Sequence, residues 1–127
     1  MEYWVFGLQP HMPIIHLDVN CQLKNRPVPM NLFAYRTHTH KHGTVVTGYL
    51  YREQNIQEIA RHDPQEPQMF YPMKKEVVVD NGDILAARCT FNTTLENKPV
   101  YIGIWNKTKF KIFLTIKKSI NLFILKM

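Results

Sequence analysis

The sequence predicts an all-β domain, built as a sandwich or jelly roll of short antiparallel strands. Aromatic and β-branched residues are plentiful, glycine is scarce, and prolines cluster between the apolar runs. Such side chains suit a pleated, half-buried surface, and no apolar run shows a helical period. Evenly spaced short strands are typical of sandwiches and jelly rolls. At 127 residues the chain is one domain at most.

The predicted strands alternate with short turns along the chain. Gly43 indicates a turn, so the predicted strands on either side of it, Asn31–His40 and Thr44–Arg52, are expected to pair as a hairpin. Asp80-Asn81-Gly82-Asp83 is a second, strong turn signal. Residues 1–13 have no clear period and are left unassigned, apart from a weak strand at Tyr3–Leu8. The remaining predicted strands are Ile14–Leu23, Asn31–His40, Thr44–Arg52, Ile56–Ala60, Met69–Tyr71, Glu76–Val79, Ile84–Phe91 and Val100–Gly103.

The net charge of +6 comes from the C-terminal tail. From Ile104 onward the chain has six lysines and no acidic residue, which leaves 10 basic and 10 acidic residues in the rest. The body of the protein is therefore not a basic surface for nucleic acid, and we predict no nucleic-acid partner.

The number of cysteines and the length of the apolar runs argue against a disulfide-rich, zinc-binding or membrane-spanning protein. Cys21 and Cys89 are too few for a disulfide scaffold and do not have a zinc-site spacing. We find no signal peptide and predict no membrane span, because lysines interrupt the most apolar segment, Phe110–Leu125.

The run from Phe33 to Gly43 contains a His-x-His-x-His alternation. Side chains two apart on a strand share a face, so Arg36, His38 and His40 are predicted to project together. Two imidazoles on one face can close on a metal ion, and a guanidinium beside them can clamp a carboxylate. Imidazole suits zinc, copper, iron and nickel alike, so the spacing does not choose the metal. The alternative is an ordinary polar strand end.

The Asp63-Pro64-Gln65-Glu66-Pro67 segment has a stiff backbone and is predicted to be a plain surface connection. His42 is the weakest of the three histidines as a metal ligand, because Gly43 indicates that the chain is already turning there.

Four motifs together resemble the peptidylglycine alpha-hydroxylating monooxygenases in order and spacing. The likeness runs from Ile14 to Gly103 and implies that residues 14–103 are the C-terminal domain of a copper type II, ascorbate-dependent monooxygenase. The implied fold is a jelly-roll-like antiparallel β-sandwich. The motifs are Phe33-Ala34-Tyr35-Arg36-x-His38-Thr39-His40, Gly43-x-Val45-Val46-x-Gly48-Tyr49, Asp63-Pro64-Gln65-x-Pro67-Gln68-x-Phe70-Tyr71-Pro72 and Gly82-Asp83-Ile84-Leu85-Ala86-Ala87-Arg88-Cys89.

The resemblance also implies roles for individual residues. His38 and His40 match two ligands of the oxygen-activating copper, whose third ligand in the family is a methionine. Arg36 matches the arginine that holds the substrate carboxylate, and Ile102 matches a residue of the substrate pocket. An ordinary core role for Ile102 stays open. The implied reaction uses copper, ascorbate and molecular oxygen to hydroxylate the alpha carbon of a C-terminal glycine, the first step of peptide amidation.

After Gly103 the sequence departs from the family. The family continues into a Glu-Met-Cys-Asn segment that supplies the methionine ligand, whereas residues 104–127 form a divergent Lys/Ile/Phe-rich tail. We hypothesise that this tail is translated intron or an alternative exon. The sandwich is therefore expected to be incomplete at its C-terminus. In the family, Cys21 and Cys89 would each have a disulfide partner downstream of Gly103, so both are expected to be free thiols.

Several functions follow as expectations. By family, the chain is a fragment of a peptidylglycine monooxygenase, located in the secretory pathway or outside the cell. The family's N-terminal copper domain has no counterpart in the sequence, so the isolated chain is expected to be inactive, with pairing to such a domain as an expected interaction. The alternatives are a non-catalytic metal-binding or regulatory isoform, a dopamine beta-hydroxylase-like enzyme, and an aberrant product that does not fold. The dopamine hydroxylases share the His-Thr-His but lack an arginine two residues before it, so Arg36 favours a peptide substrate.

Overall fold

The computed structural model describes residues 7–101 and the backbone of residues 124–126. All regular structure in this part of the chain is β, which confirms the predicted class. No helix long and apolar enough to cross a membrane occurs among these residues. The strands are β1 (Gly7–Leu8), β2 (Ile15–Gln22), β3 (Met30–Tyr35), β4 (Gly43–Arg52), β5 (Asn55–His62), β6 (Tyr71–Val79), β7 (Ile84–Phe91), β8 (Val100–Tyr101) and β9 (Ile124–Lys126).

The strands form antiparallel sheets. The largest has the order β2-β7-β4-β5, a second has the order β6-β3-β9, and β1 pairs with β8. Strands β3 and β4 lie in different sheets, so the predicted hairpin across Gly43 is wrong. One hydrophobic cluster joins the two larger sheets, because Leu32 of β3 and Val79 of β6 share it with Leu50 of β4. The arrangement is consistent with a β-sandwich, and the jelly-roll topology stays a prediction.

A second cluster lies at the end of the large sheet near β1. Val46 is fully buried there, among Leu8, Ala87, Cys89 and Phe91. Val46 is the fourth residue of β4, so this cluster anchors the beginning of that strand. The region just before β4, which contains the histidines, is therefore attached to a packed core.

Strand β3 is shorter than predicted, since it ends at Tyr35 and not at His40. Tyr35 is the last residue of β3 in register with β6, where it lies opposite Tyr71. The residues before Tyr71 belong to a loop, so on the β6 side residues 36–40 have no strand among the described residues to continue the ladder. The predicted strand therefore becomes an extended segment without sheet pairing.

Strand β6 replaces two predicted short strands. Pro72, which follows the first of them, lies opposite Ala34, where the β3–β6 register shifts. Because β6 is at the edge of its sheet, a residue without an N–H is tolerated there. Of the predicted end strands, Gly7–Leu8 and Val100–Tyr101 are observed, and the remaining residues of both lie outside the described part of the chain.

The last described residues add a strand to the smaller sheet. In β9, Ile124 lies opposite Ala34 and Lys126 lies opposite Asn31, on the side of β3 away from β6. The end of the divergent tail thus occupies an edge of the strand that leads into the histidine run.

Both cysteines are free thiols, as predicted, Cys21 exposed and Cys89 buried. In the β2–β7 ladder Cys21 lies opposite Leu85, and Cys89 lies opposite Leu17. Four residues along the ladder therefore separate them, or about 13 Å. A disulfide needs Cα atoms within about 7 Å, so the two cannot pair without rearrangement of the sheet.

The two thiols should react differently. Burial raises the pKa of the Cys89 thiol to about 11, so near pH 8 it stays protonated and shielded, and only thiolates react quickly. We expect a chromogenic disulfide reagent to titrate one thiol in the native chain and two in denaturant. Cys21→Ser should abolish the native reaction, and Cys89→Ser should leave it intact. Rapid modification of both thiols in the native protein would contradict the packing of β7.

Candidate metal centre

The segment that follows β3 keeps a two-residue alternation after it has left the sheet. Tyr35, Thr37 and Thr39 are buried, Arg36 and His38 are half-buried, and His40 is exposed. Extended backbone projects successive side chains to opposite sides, whether or not it is hydrogen-bonded to a neighbour. Arg36, His38 and His40 therefore share the less buried side of this segment, although the strand that was predicted to carry them ends at Tyr35.

Tyr35 fixes the point where the chain leaves the sheet. Its ring stacks on Tyr71 at 5.9 Å between centroids and meets the edge of the His62 ring at 5.8 Å. Aromatic pairs at such separations stabilise beyond the area that they bury. These ring contacts therefore fix the position of Tyr35, from which the chain continues to Arg36.

The two histidines lie side by side. The ring centroids of His38 and His40 are 5.2 Å apart, and the rings are inclined by 73°. Partial burial lowers the pKa of His38, and the nearby charges of His40 and Arg36 lower it further. A lowered pKa favours the neutral imidazole, the form that binds metals. Within residues 7–101, no group of three His, Cys, Asp or Glu side chains is placed to hold an ion.

His42 belongs to a different group. Its Nε2 is 2.7 Å from Glu96 Oε1, and Lys41 Nζ is 3.3 Å from the same oxygen. Hydrogen bonds from both lower the pKa of the Glu96 carboxyl. The Asn92 backbone N–H also donates to the His42 carbonyl at 2.9 Å. These contacts attach the turn at residues 41–42 to the segment after β7. The His42 ring is hydrogen-bonded to the Glu96 carboxylate.

Gly43 allows the turn to close on Thr39. The Gly43 N–H donates to the His40 carbonyl at 3.0 Å. A Cβ at position 43 would lie 1.9 Å from Thr39 Oγ1 and 2.5 Å from its Cβ, which no real pair of atoms tolerates. The close approach therefore requires glycine at this position.

The side chain of Gln65 supports the same turn. Its amide nitrogen donates to the carbonyls of His40 and Gly43, both at 3.0 Å. The Gln65 backbone N–H donates in turn to Asp63 Oδ1 at 2.8 Å. Backbone carbonyls need hydrogen-bond donors, and the Gln65 amide, from another part of the chain, provides one to the carbonyl at each end of the turn.

A second glutamine of that loop contacts the candidate site residues directly. Arg36 Nη2 donates to Gln68 Oε1 at 3.0 Å, and Gln68 Nε2 contacts His38 Nδ1. The Arg36 guanidinium also lies over the Phe70 ring, 5.6 Å from its centroid. The prediction of a plain surface connection is therefore wrong for the loop before β6. It lies at the surface, but its glutamines bind the histidine segment.

Sequence reasoning did not assign Gln65 and Gln68 to the site. The available signal was the repeated Pro-Gln pair within a motif that carried the resemblance. The structure brings Arg36, His38 and His40 together on one face, whereas Ile102 lies outside the described residues.

Replacing Gly43 with alanine should change the positions of the nearby histidines more than it changes the overall fold. The added methyl group must displace Thr39, and overpacking of this kind costs about 1–3 kcal/mol. We expect Gly43→Ala to lower the midpoint of thermal unfolding and to shift the imidazole NMR signals of His38 and His40. Gly82→Ala is a matched control, because position 82 has open space and a φ of +90°, far from the histidines. Gly82→Ala should destabilise the fold through backbone strain and leave the imidazole signals of His38 and His40 unshifted. If these signals are also unshifted in Gly43→Ala, the close contact between Gly43 and Thr39 is contradicted.

Comparison with known proteins identifies the family of this chain. A family model described as copper type II ascorbate-dependent monooxygenase, C-terminal domain, matches residues 5–110. The chain is 44% identical over 96 residues to peptidylglycine alpha-amidating monooxygenase of Rattus norvegicus, an alignment that covers 76% of this chain and 10% of the relative. It is 41% identical over 96 residues to peptidyl-glycine alpha-amidating monooxygenase A of Xenopus laevis, with the same coverage of 76% and 10%.

A more distant relative is dopamine beta-hydroxylase of Canis lupus familiaris, 37% identical over 81 residues, which are 61% of this chain and 13% of the relative. The chain spans about a tenth of the length of the amidating monooxygenases that it matches. The family match covers most of the chain. The protein belongs to the copper type II ascorbate-dependent monooxygenase family, as a C-terminal domain, and the cofactors of this family are copper and ascorbate.

Proposed function

We propose that this chain carries part of the oxygen-activating copper site of a peptidylglycine monooxygenase, which hydroxylates the alpha carbon of a C-terminal glycine. The observation that carries the proposal is the shared face of Arg36, His38 and His40. It brings two metal-binding imidazoles next to a carboxylate-binding guanidinium. The relatives with the higher identity, named as peptidylglycine amidating enzymes, support the same substrate class.

The residues present fit copper. Two adjacent imidazoles, one exposed and one half-buried with a lowered pKa, are suitable nitrogen donors for this metal. His38 and His40 would hold the ion. When bound, copper would supply the activation of molecular oxygen, with electrons from ascorbate. The protein contributes the neutral state of His38 and the fixed backbone beneath His40.

Arg36 is the proposed anchor for the substrate carboxylate. Its contact with Gln68 uses Nη2, so the guanidinium keeps further N–H donors for an incoming ligand. The ring of Phe70 beneath it limits its movement. A guanidinium held in this way can bind a carboxylate through two parallel hydrogen bonds. The glycine alpha carbon is bonded to that carboxylate, so Arg36 would position the reacting carbon near the histidines.

Arg36 also separates the two substrate classes in the family. A dopamine-like amine carries no carboxylate and would gain nothing from a guanidinium beside the metal. The half-buried position of Arg36 next to His38 therefore favours a glycine-extended peptide. We further propose that Ile102 lines the peptide pocket, and that the protein acts in the secretory pathway or outside the cell.

Copper binding should depend on both histidines. We expect His38→Ala and His40→Ala each to weaken Cu(II) binding at least about tenfold, because each removes one of two nitrogen donors. Competition with a chromophoric chelator measures the affinity. His16→Ala is the matched control, because His16 is exposed on β2 and bonds to Thr90 at 3.0 Å. Equal copper affinities in all four proteins would refute the proposed site.

An activity assay tests the isolated chain. We expect copper binding without turnover on a glycine-extended peptide, ascorbate and oxygen, because the family divides two coppers between two domains and this sequence resembles one of them. A non-catalytic metal-binding isoform predicts the same result alone, so the assay is repeated with an added N-terminal copper domain. Hydroxylation that appears only with that domain would support the enzyme fragment. Turnover by the chain alone, abolished in His40→Ala, would show that its 127 residues are sufficient.

A further inference from the structure

We propose that Asn92 is an acceptor for an N-linked oligosaccharide when the chain enters the secretory pathway. Asn92-Thr93-Thr94 has the form Asn-x-Thr, in which x is not proline, and this pattern receives such sugars on the surface loops of secreted proteins. The inference rests on the location given under the proposed function, because the modification takes place in that compartment.

The position of the tripeptide in the fold suits an attached sugar. Asn92 follows Phe91, the last residue of β7, and begins the connection to β8. Asn92 and Thr94 are exposed, whereas Thr93 between them is only 1% exposed. A bulky, solvated group can therefore leave the protein at Asn92, while the middle residue attaches the tripeptide to the core.

A backbone hydrogen bond determines how the Asn92 amide is turned. The Thr94 N–H donates to Asn92 Oδ1 at 2.9 Å. A backbone N–H bonds to the oxygen of a side-chain amide, because the amide nitrogen is itself a donor. Within residues 7–101 no hydrogen bond engages Asn92 Nδ2. The atom that would carry the sugar is thus uncommitted and lies on an exposed side chain.

The contacts that hold this segment in the fold do not use the Asn92 amide nitrogen. The Asn92 backbone N–H donates to the His42 carbonyl at 2.9 Å, and the Thr93 N–H donates to the Met12 carbonyl at 2.8 Å. The Thr93 hydroxyl donates to the Gln9 carbonyl at 2.6 Å. A substituted Nδ2 would leave all three bonds in place. The amide also keeps its oxygen, so the bond from Thr94 is retained.

The transfer forms one bond and breaks one bond on each reactant. Asn92 Nδ2 loses one N–H bond and gains a bond to the anomeric carbon of the first sugar. The donor is an oligosaccharide linked to a lipid pyrophosphate. Its bond between the anomeric carbon and the phosphate oxygen breaks, the pyrophosphate leaves with the electron pair, and the amide proton is released. No oxidant or reductant takes part.

The experiment has to separate Asn92 from a second tripeptide of the same form. Asn106-Lys107-Thr108 also fits the pattern, but it lies outside the described residues. The full chain is therefore produced as Asn106→Gln in cultured eukaryotic cells. An added secretion signal brings it into the secretory pathway, so the result does not depend on the natural location of the protein.

Four further substitutions are introduced one at a time into this Asn106→Gln chain. Asn92→Gln removes the acceptor, and Thr94→Ala removes the hydroxyl that the pattern requires. Thr94→Ser keeps the pattern and is the conservative control. Asn97→Gln is the matched control, because Asn97 is exposed in the same connection but is followed by Lys98-Pro99 and does not fit the pattern.

We expect the secreted Asn106→Gln chain to migrate as a larger species on a denaturing gel, and a peptide N-glycosidase should remove the difference. Asn92→Gln and Thr94→Ala should each abolish the difference, whereas Thr94→Ser and Asn97→Gln should retain it. Because the enzyme converts the modified asparagine to aspartate, treatment in heavy-oxygen water should label position 92 in the mass spectrum. The modified chain should unfold at the same temperature as the chain made in bacteria, since Asn92 is exposed.

Two results would overturn the inference. A secreted Asn106→Gln chain without a sugar would show that Asn92 is not an acceptor. A modified chain that unfolds at a clearly lower temperature than the bacterial chain would show that the fold does not leave Nδ2 free. Neither result bears on the copper site, because copper affinity is measured on the unmodified chain. If only the chain with the added signal carries the sugar, and the protein from its natural source does not, Asn92 is an acceptor and the proposed location is wrong.

Discussion

Strand β4 is hydrogen-bonded along both edges, and the candidate site depends on this pairing. It pairs with β7 from Gly43 to Tyr51 and with β5 from Val46 to Arg52. A strand held on both sides cannot shift its register without turning its buried face outward. Gly43, its first residue, is therefore a fixed point, and Thr39 approaches that point more closely than any Cβ would allow. The position of the histidine segment therefore depends on a strand that is paired along both edges.

The loop between β5 and β6 completes the support. Gln65 binds the carbonyls on either side of the turn, and Gln68 contacts the side chains that project from the segment before it. One loop thus holds both the backbone and the functional groups. Sites placed on irregular segments keep their geometry when a rigid scaffold supports them, and here β4 and β6 provide the scaffold.

Within the described part of the chain, the histidine segment is exposed on one side and buried on the other. His40 is exposed, and Phe70, at 50% exposure, lies beside the half-buried Arg36. The buried threonines on the opposite side close the site toward the core. This difference in exposure follows from the two-residue period, because successive side chains of an extended segment point to opposite sides.

The sequence by itself determined the all-β class, the alternation at positions 35–40, the free cysteines and, through its motifs, the family. These features depend on local period, composition and residue order, which a linear chain displays. The end of β3 at Tyr35, the single β6 across Pro72, the commitment of His42 to Glu96 and the contacts of Gln65 and Gln68 were decided by tertiary structure. Each depends on a partner more than 20 residues away. Which strand lies beside a residue, and which side chain reaches a carbonyl, is determined only when the sheets pack together.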